Sequence, residues 1–165
     1  MKTIRRHIAL YGVAIVAICA LSACGFQLRG NYDLPPALSA VQLESSQPYG
    51  DVMRHLRRYL AGAGVRLGDS DGARVQVGAV RNSRRVVSVD SLGRPREYSL
   101  ASEVVLSVPE TPSGYALAAT TLRVERDYFF DPEGVLSAGE QERQLREDMA
   151  KDLALRIMYR LQSSR

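Results

Sequence analysis

The chain has 165 residues, 22 Lys and Arg against 18 Asp and Glu, and two cysteines, Cys19 and Cys24. That length suits one domain with a sizeable core rather than several. Both cysteines lie near the start, so the rest of the chain offers no disulfide, no zinc-binding cysteine pair and no thiol nucleophile.

The first residues fall into three zones. Residues 1–7 carry Lys2, Arg5 and Arg6 and no acid, residues 8–20 are apolar apart from Gly12, and Leu21-Ser22-Ala23-Cys24 follows. This order is that of a secretory signal, and the apolar run is short for a bilayer span. A small-residue box ending in cysteine is the lipobox pattern. Residues 1–23 are therefore expected to be removed. Cys24, the lipidation residue, is expected to carry an S-diacylglycerol thioether and an N-acyl chain, the only attached group foreseen. Each buried methylene contributes roughly 0.8 kcal/mol, so several acyl chains make a stable anchor. Gly25 stands where an aspartate would favour retention at the inner membrane, which points to the outer membrane, periplasmic side. Without Lys2, Arg5 and Arg6 the mature chain has 19 bases against 18 acids. Such a balance gives no electrostatic footprint for nucleic acid.

Residues 24–36 read as a lipidated tether, with Gly25, Gly30 and Pro35-Pro36, and residues 37–165 as one domain. Residues 38–45 alternate as a short strand, Val41 and Leu43 against Gln42 and Glu44. A helix is predicted over residues 51–61, with Val52, Leu56, Tyr59, Leu60 and Ala63 on one stripe, Arg54, Arg57 and Arg58 opposite, and Gly62 and Gly64 as the stop. Residues 65–67 read as a short edge strand. Residues 73–80 read as a strand that continues through a bend to residue 90. Residues 97–108 form the next, with Tyr98, Leu100, Val104, Leu106 and Val108 sharing a face, and residues 115–128 the last. Turns at residues 91–95 and 109–114 join them as antiparallel hairpins. Ser137 with Glu140 reads as a capping box for a closing helix, striped by Leu145, Met149, Leu153, Ile157 and Leu161. The fold class expected is α+β: a two-layer domain with two helices packed on one face of a roughly four-stranded, largely antiparallel sheet. Its other face, with Thr121, Arg123 and Glu125, is expected to be polar.

Catalytic chemistry has little footing. His7 leaves with the signal segment, and His55, between Arg54 and Arg57, reads as a surface residue. No second histidine remains for a Ser–His–Asp relay and no His–Cys cluster for zinc. Asp69-x-Asp71-Gly72 lacks the later ligands of a calcium loop. Glu140, Glu142, Glu147 and Asp148 crowd the start of a helix, where acids complement the dipole. The chain is expected not to be an enzyme and to hold no metal.

One cluster stands out: Arg84, Arg85, Arg94 and Arg96, with Arg81, on a strand-turn-strand segment. Guanidinium forks suit phosphate and carboxylate; a solvated hairpin whose charges protect an edge would look the same. Here the motifs resemble a known family. Cys24-Gly25-Phe26-Gln27-Leu28-Arg29-Gly30 after the lipobox, Tyr49-Gly50 with Arg54, Leu56, Arg57 and Leu60, Val87-Ser88-Val89-Asp90 with Gly93 and Glu97-Tyr98, then Arg126, Tyr128, Phe130-Asp131 and Glu140-Gln141-Glu142 together resemble the LptE family of lipopolysaccharide-assembly lipoproteins. The resemblance implies a two-helix, four-stranded plug inside the large LptD outer-membrane β-barrel, needed for barrel assembly and binding lipopolysaccharide. It implies lipopolysaccharide contacts at Arg94 and Arg96, with Arg84 and Arg85 in support. The family's second basic contact, near the start of the last helix, has no counterpart in Ser137-Ala138-Gly139. The alternative is an adaptor lipoprotein that adds a strand to a partner's sheet at the residue 65–67 edge.

Overall fold

Strand alternation and helical periodicity both carry through into the computed structural model, which describes residues 32–68, 71–130 and 135–163, without the side chains of 135–138. Cys24, the leader and most of the tether lie outside the described residues. A single 3₁₀ turn, Pro36–Leu38, leads into β1 (Ala40–Ser45), α1 (Asp51–Gly62), β2 (Arg66–Leu67), β3 (Ala73–Val77), β4 (Arg81–Val89), β5 (Pro95–Val108), β6 (Leu117–Phe129) and α2 (Val135–Ser163).

The end of α1 shows why the sequence stops there. Gly64 takes φ +78°. The Val65 N–H then reaches back to the Leu60 carbonyl and the Gly64 N–H to the Ala61 carbonyl, both at 3.0 Å. This pair of bonds satisfies carbonyls the helix would otherwise leave open, and a residue with a Cβ would strain in that conformation.

The sheet corrects the expected one. Among the described residues it has six strands and is mixed. β1 lies between β2 and β3 and runs parallel to both. Helix α1 is the crossover that makes this possible, since parallel neighbours cannot be joined by a tight turn. Antiparallel pairing is confined to β5, which meets β3, β4 and β6. β6 runs along one edge of β5 and β3 and β4 follow each other along the opposite edge. The bend between these two keeps its hold on β5 through a 2.8 Å bond from the Gly78 N–H to the Val105 carbonyl. The expected continuation of the 73–80 strand through a bend is thus what forms.

Both helices cover one sheet face. Leu56 and Leu60 of α1, Leu100 and Leu106 of β5, and Met149, Leu153, Ile157 and Leu161 of α2 are fully buried together. Each such side chain contributes roughly 1.5–3 kcal/mol through burial. The far end of α2 is held by the Tyr115 hydroxyl, which donates to the Leu161 carbonyl at 2.8 Å. Gly72, just before β3, lies hard against β1: a Cβ there would sit 2.8 Å from the backbone of Ala40 and Val41. α2 starts at Val135, so Ser137 stands inside its first turn and not at the cap.

His55 is the second correction. It is 5% exposed, buried between α1 and α2 rather than on the surface. Arg58 approaches its Nδ1 at 2.5 Å. Its Nε2 is buried without a partner among the described residues. Burial first, then the cations of Arg58 and Arg54, lower its pKa below 6.5, against weaker pulls from Glu147 of α2 and Asp51. The unfolded chain therefore takes up the proton first, and stability falls as pH drops from 6.5 toward the lower folded value. His55→Leu should flatten this limb of a urea-midpoint profile measured between pH 7 and pH 5. Parallel profiles for the two proteins would show that His55 is not its source.

Candidate functional site

The β4–β5 turn begins with Asp90, whose carboxylate organises it. Its Oδ1 accepts from the Leu92 and Arg94 N–H groups at 2.9 Å. Its Oδ2 accepts from Arg94 Nε at 2.8 Å. The backbone bond from Arg94 outweighs desolvation and, with the Arg94 guanidinium and the Leu92 N–H, lowers the Asp90 pKa. Gly93 closes the turn with φ +76°. Arg94 is thus fixed at the tip by its Nε, which leaves its terminal amino groups pointing to no protein acceptor among the described residues. Arg96, exposed at the start of β5, makes no ion pair among them.

Beside these two arginines lies an apolar tip. Leu92 is 74% exposed and Phe129 77%, with Val86, Val87 and Val89 also exposed. Phe129 pairs with Glu97 in register and Val89 with Pro95, so all sit at one end of the β4–β5–β6 segment. The arrangement is amphipathic, with cations beside an exposed apolar surface. The arginines were legible in the sequence and this tip was not, although three valines in four residues of an arginine-rich strand signal it.

Arg84 and Arg85 do not join them. Adjacent strand residues face opposite sides of a sheet. Arg84 turns to the helix side, its guanidinium 4.8 Å over the Tyr98 ring and 2.9 Å from Glu142 Oε2. Arg85 turns to the open face and donates to Glu125 at 3.0 Å. There it belongs to a lattice in which Arg123 pairs with Glu103 and Glu125. Hydrogen bonds from Arg85 and Ser99, with Arg123 beside them, hold the Glu125 carboxyl down at about 2. With Thr121 exposed as well, the open face is polar and ion-paired, as expected.

The predicted edge at residues 65–67 is real but short, since β2 has two residues. The outer side of β4 is a longer edge, nine residues that among the described residues pair only with β5. Among the described residues, no three His, Cys, Asp or Glu side chains are grouped to hold a metal. Among them, no helix is long and apolar enough to cross a membrane.

The chain is 29% identical over 161 residues to an LPS-assembly lipoprotein LptE of Yersinia enterocolitica, covering 94% of this chain and 76% of the relative. It is 27% identical to that of Pectobacterium atrosepticum, covering 94% and 86%. Among solved structures, rare lipoprotein B of Shewanella oneidensis matches with a TM-score of 0.66 and 25% identity, over 73% of this chain and 91% of that one. A minor lipoprotein of Acinetobacter baumannii shares the fold, with a TM-score of 0.65, 24% identity, and 78% and 94% covered. The lipopolysaccharide-assembly family LptE matches residues 38–161, and the chain belongs to that family.

Proposed function

We propose that this chain is a lipid-anchored subunit of the outer membrane that seats inside the LptD β-barrel, helps it assemble, and contacts lipopolysaccharide on its way to the outer leaflet. The observation that carries this reading is the family match across residues 38–161. Three features support it. The lipobox at Cys24, followed by Gly25, fits an anchor on the periplasmic side of the outer membrane. A barrel lumen is polar, and the open sheet face is an ion-paired surface that such a lumen can hold without desolvating bare charge. The role asks for no catalytic group.

The β4–β5 tip fits the lipid. Lipopolysaccharide presents phosphates beside acyl chains, and the tip sets Arg94 and Arg96 beside Leu92, Val89 and Phe129. Arg96 supplies a guanidinium without an ion pair among the described residues, and Arg94 can add its terminal amino groups while Nε stays on Asp90. Charge-assisted contacts of this kind are worth about 1.5–3 kcal/mol each. The double variant Arg94→Glu, Arg96→Glu should therefore bind lipopolysaccharide at least about tenfold more weakly, with its thermal midpoint little changed. Undiminished binding by a folded double variant would remove the tip from the lipid path. Arg84 and Arg85, committed to Glu142 and Glu125, play at most a supporting part.

A second reading, an adaptor that pairs strand edges with another protein, draws on the unpaired outer side of β4. It expects partner contacts along that edge alone.

A further inference from the structure

Three tyrosines meet near the point where the tether enters the domain. The Tyr32 ring lies 6.2 Å from that of Tyr59 on α1 and 6.0 Å from that of Tyr159 on α2, centre to centre. We propose that this cluster is a docking surface for the phospholipid headgroups of the leaflet that holds the anchor. The proposal rests on the lipid anchor at Cys24 and not on the barrel.

The chemistry of the cluster is that of an interface. Tyr159 is 53% exposed, and the other two rings are half-buried. None of the three hydroxyls has a hydrogen-bond partner among the described residues. Apolar rings with free hydroxyls gain most at the depth where hydrocarbon gives way to water. Arg156 stands three residues before Tyr159 and so beside it on the helix surface. It is exposed and has no ion pair among the described residues. Arg160 follows on the next turn, while Asp33, next to Tyr32, offsets one of these charges. The positive charge that remains beside the rings suits a surface containing anionic lipid.

Chain length and topology say what covers the cluster. Tyr32 stands eight residues after Cys24. Eight residues reach at most about 28 Å, so the cluster stays that close to the acylated cysteine however the domain turns. The β4–β5 tip is at the other end of the sheet. The Tyr115 hydroxyl fixes the last turns of α2 beside the β5–β6 turn, whereas Phe129 pairs with Glu97 near the start of β5. The length of β5 from Glu97 to Val108 separates the two ends by roughly 36 Å. Docking by the tyrosines therefore turns the tip away from the anchoring leaflet. Inside a barrel it would carry the tip across a distance comparable to the hydrocarbon core, about 30 Å.

The chain contains no tryptophan, so Tyr159→Trp and Leu92→Trp each install a single fluorescent reporter. The acylated full chain is reconstituted into vesicles of phosphatidylethanolamine and phosphatidylglycerol that carry a lipid spin-labelled next to its headgroup, and is recovered by flotation. Emission from Tyr159→Trp should shift to the blue and be quenched by the labelled lipid, and emission from Leu92→Trp should do neither. Adding Arg156→Glu to Tyr159→Trp should weaken docking about fivefold or more, with the unfolding midpoint little changed. A blue shift at position 159 without quenching would mean that protein covers the rings, either the tether or a second copy, and would overturn the proposal. Stronger quenching at position 92 than at position 159 would overturn it as well. A chain that floats with the vesicles while position 159 stays unquenched rejects the docking surface and leaves the anchor standing. A chain that does not float rejects the anchor and the docking surface together.

Discussion

Leu153→Ala is expected to cost the domain roughly 3–4 kcal/mol, a large share of the 5–15 kcal/mol by which native domains are typically stable. Leu153 is fully buried at the middle of α2. Truncation removes its transfer energy and leaves a cavity that the helix cannot close by moving inward. α2 is held on either side of this point, by Tyr128 and Arg84 on Glu142, by Arg126 on Asp152, and by Tyr115 on the Leu161 carbonyl. With a urea slope of about 1.5 kcal/mol per molar, the midpoint should fall by about 2 M. Lys151→Ala, exposed on the same helix, should stay within about 0.5 kcal/mol and serves as the control. A Leu153→Ala loss below about 1 kcal/mol would mean that α2 is not packed as described.

Glu142→Gln is the second large effect, at about 1–2 kcal/mol near neutral pH. The Glu142 carboxylate is the meeting point of three elements. It accepts from Arg146 of its own helix, from Arg84 of β4 and from the Tyr128 hydroxyl of β6 at 3.0 Å. A glutamine keeps the shape but gives Arg84 and Arg146 no opposite charge. Burial raises the Glu142 pKa, yet the bonds from Arg146, Tyr128 and Arg84 outweigh it and leave the net value below 4.5. The stabilisation from its charge is therefore complete above the unfolded value of about 4.5 and is lost as pH falls through the lower folded one. Glu125, held at about 2, adds a contribution that persists further into acid. Wild-type protein should lose stability steeply below pH 4.5, and Glu142→Gln should lose less of it there, because its deficit is already present at pH 7. Acid-unfolding curves of equal steepness, with no deficit at neutral pH, would contradict the role given to this carboxylate.

How much of this was legible in the sequence depends on whether a feature is local. The apolar stripe of α2 and the shared face of β5 are set by spacing alone and appear as read. The hairpin turns at Asp90 and Gly114 follow from local turn chemistry. The parallel placement of β1 between β2 and β3 does not, because spacing says which side chains face inward and not which strand lies alongside. His55 was legible and was misread: Val52, His55, Leu56, Tyr59 and Leu60 stand at i, i+3, i+4, i+7 and i+8, so the histidine completes the buried stripe despite its polarity. Arg84 and Arg85 were grouped as one site, but the two-residue repeat of a strand sends them to opposite faces. The apolar tip escaped because Phe129 reaches it through the pairing of β6 with β5, a contact between residues 32 apart along the chain.

Site-specific photo-crosslinking in intact outer membranes tests the central claim most directly. A photoreactive residue at Thr121 on the open sheet face, at Leu92 on the tip, and at Tyr49 beside α1 samples three separated surfaces. Seated inside a barrel, the domain should cross-link from all three to one large β-barrel protein. Cross-links confined to the outer edge of β4, or none to any barrel from the three sites, would contradict it.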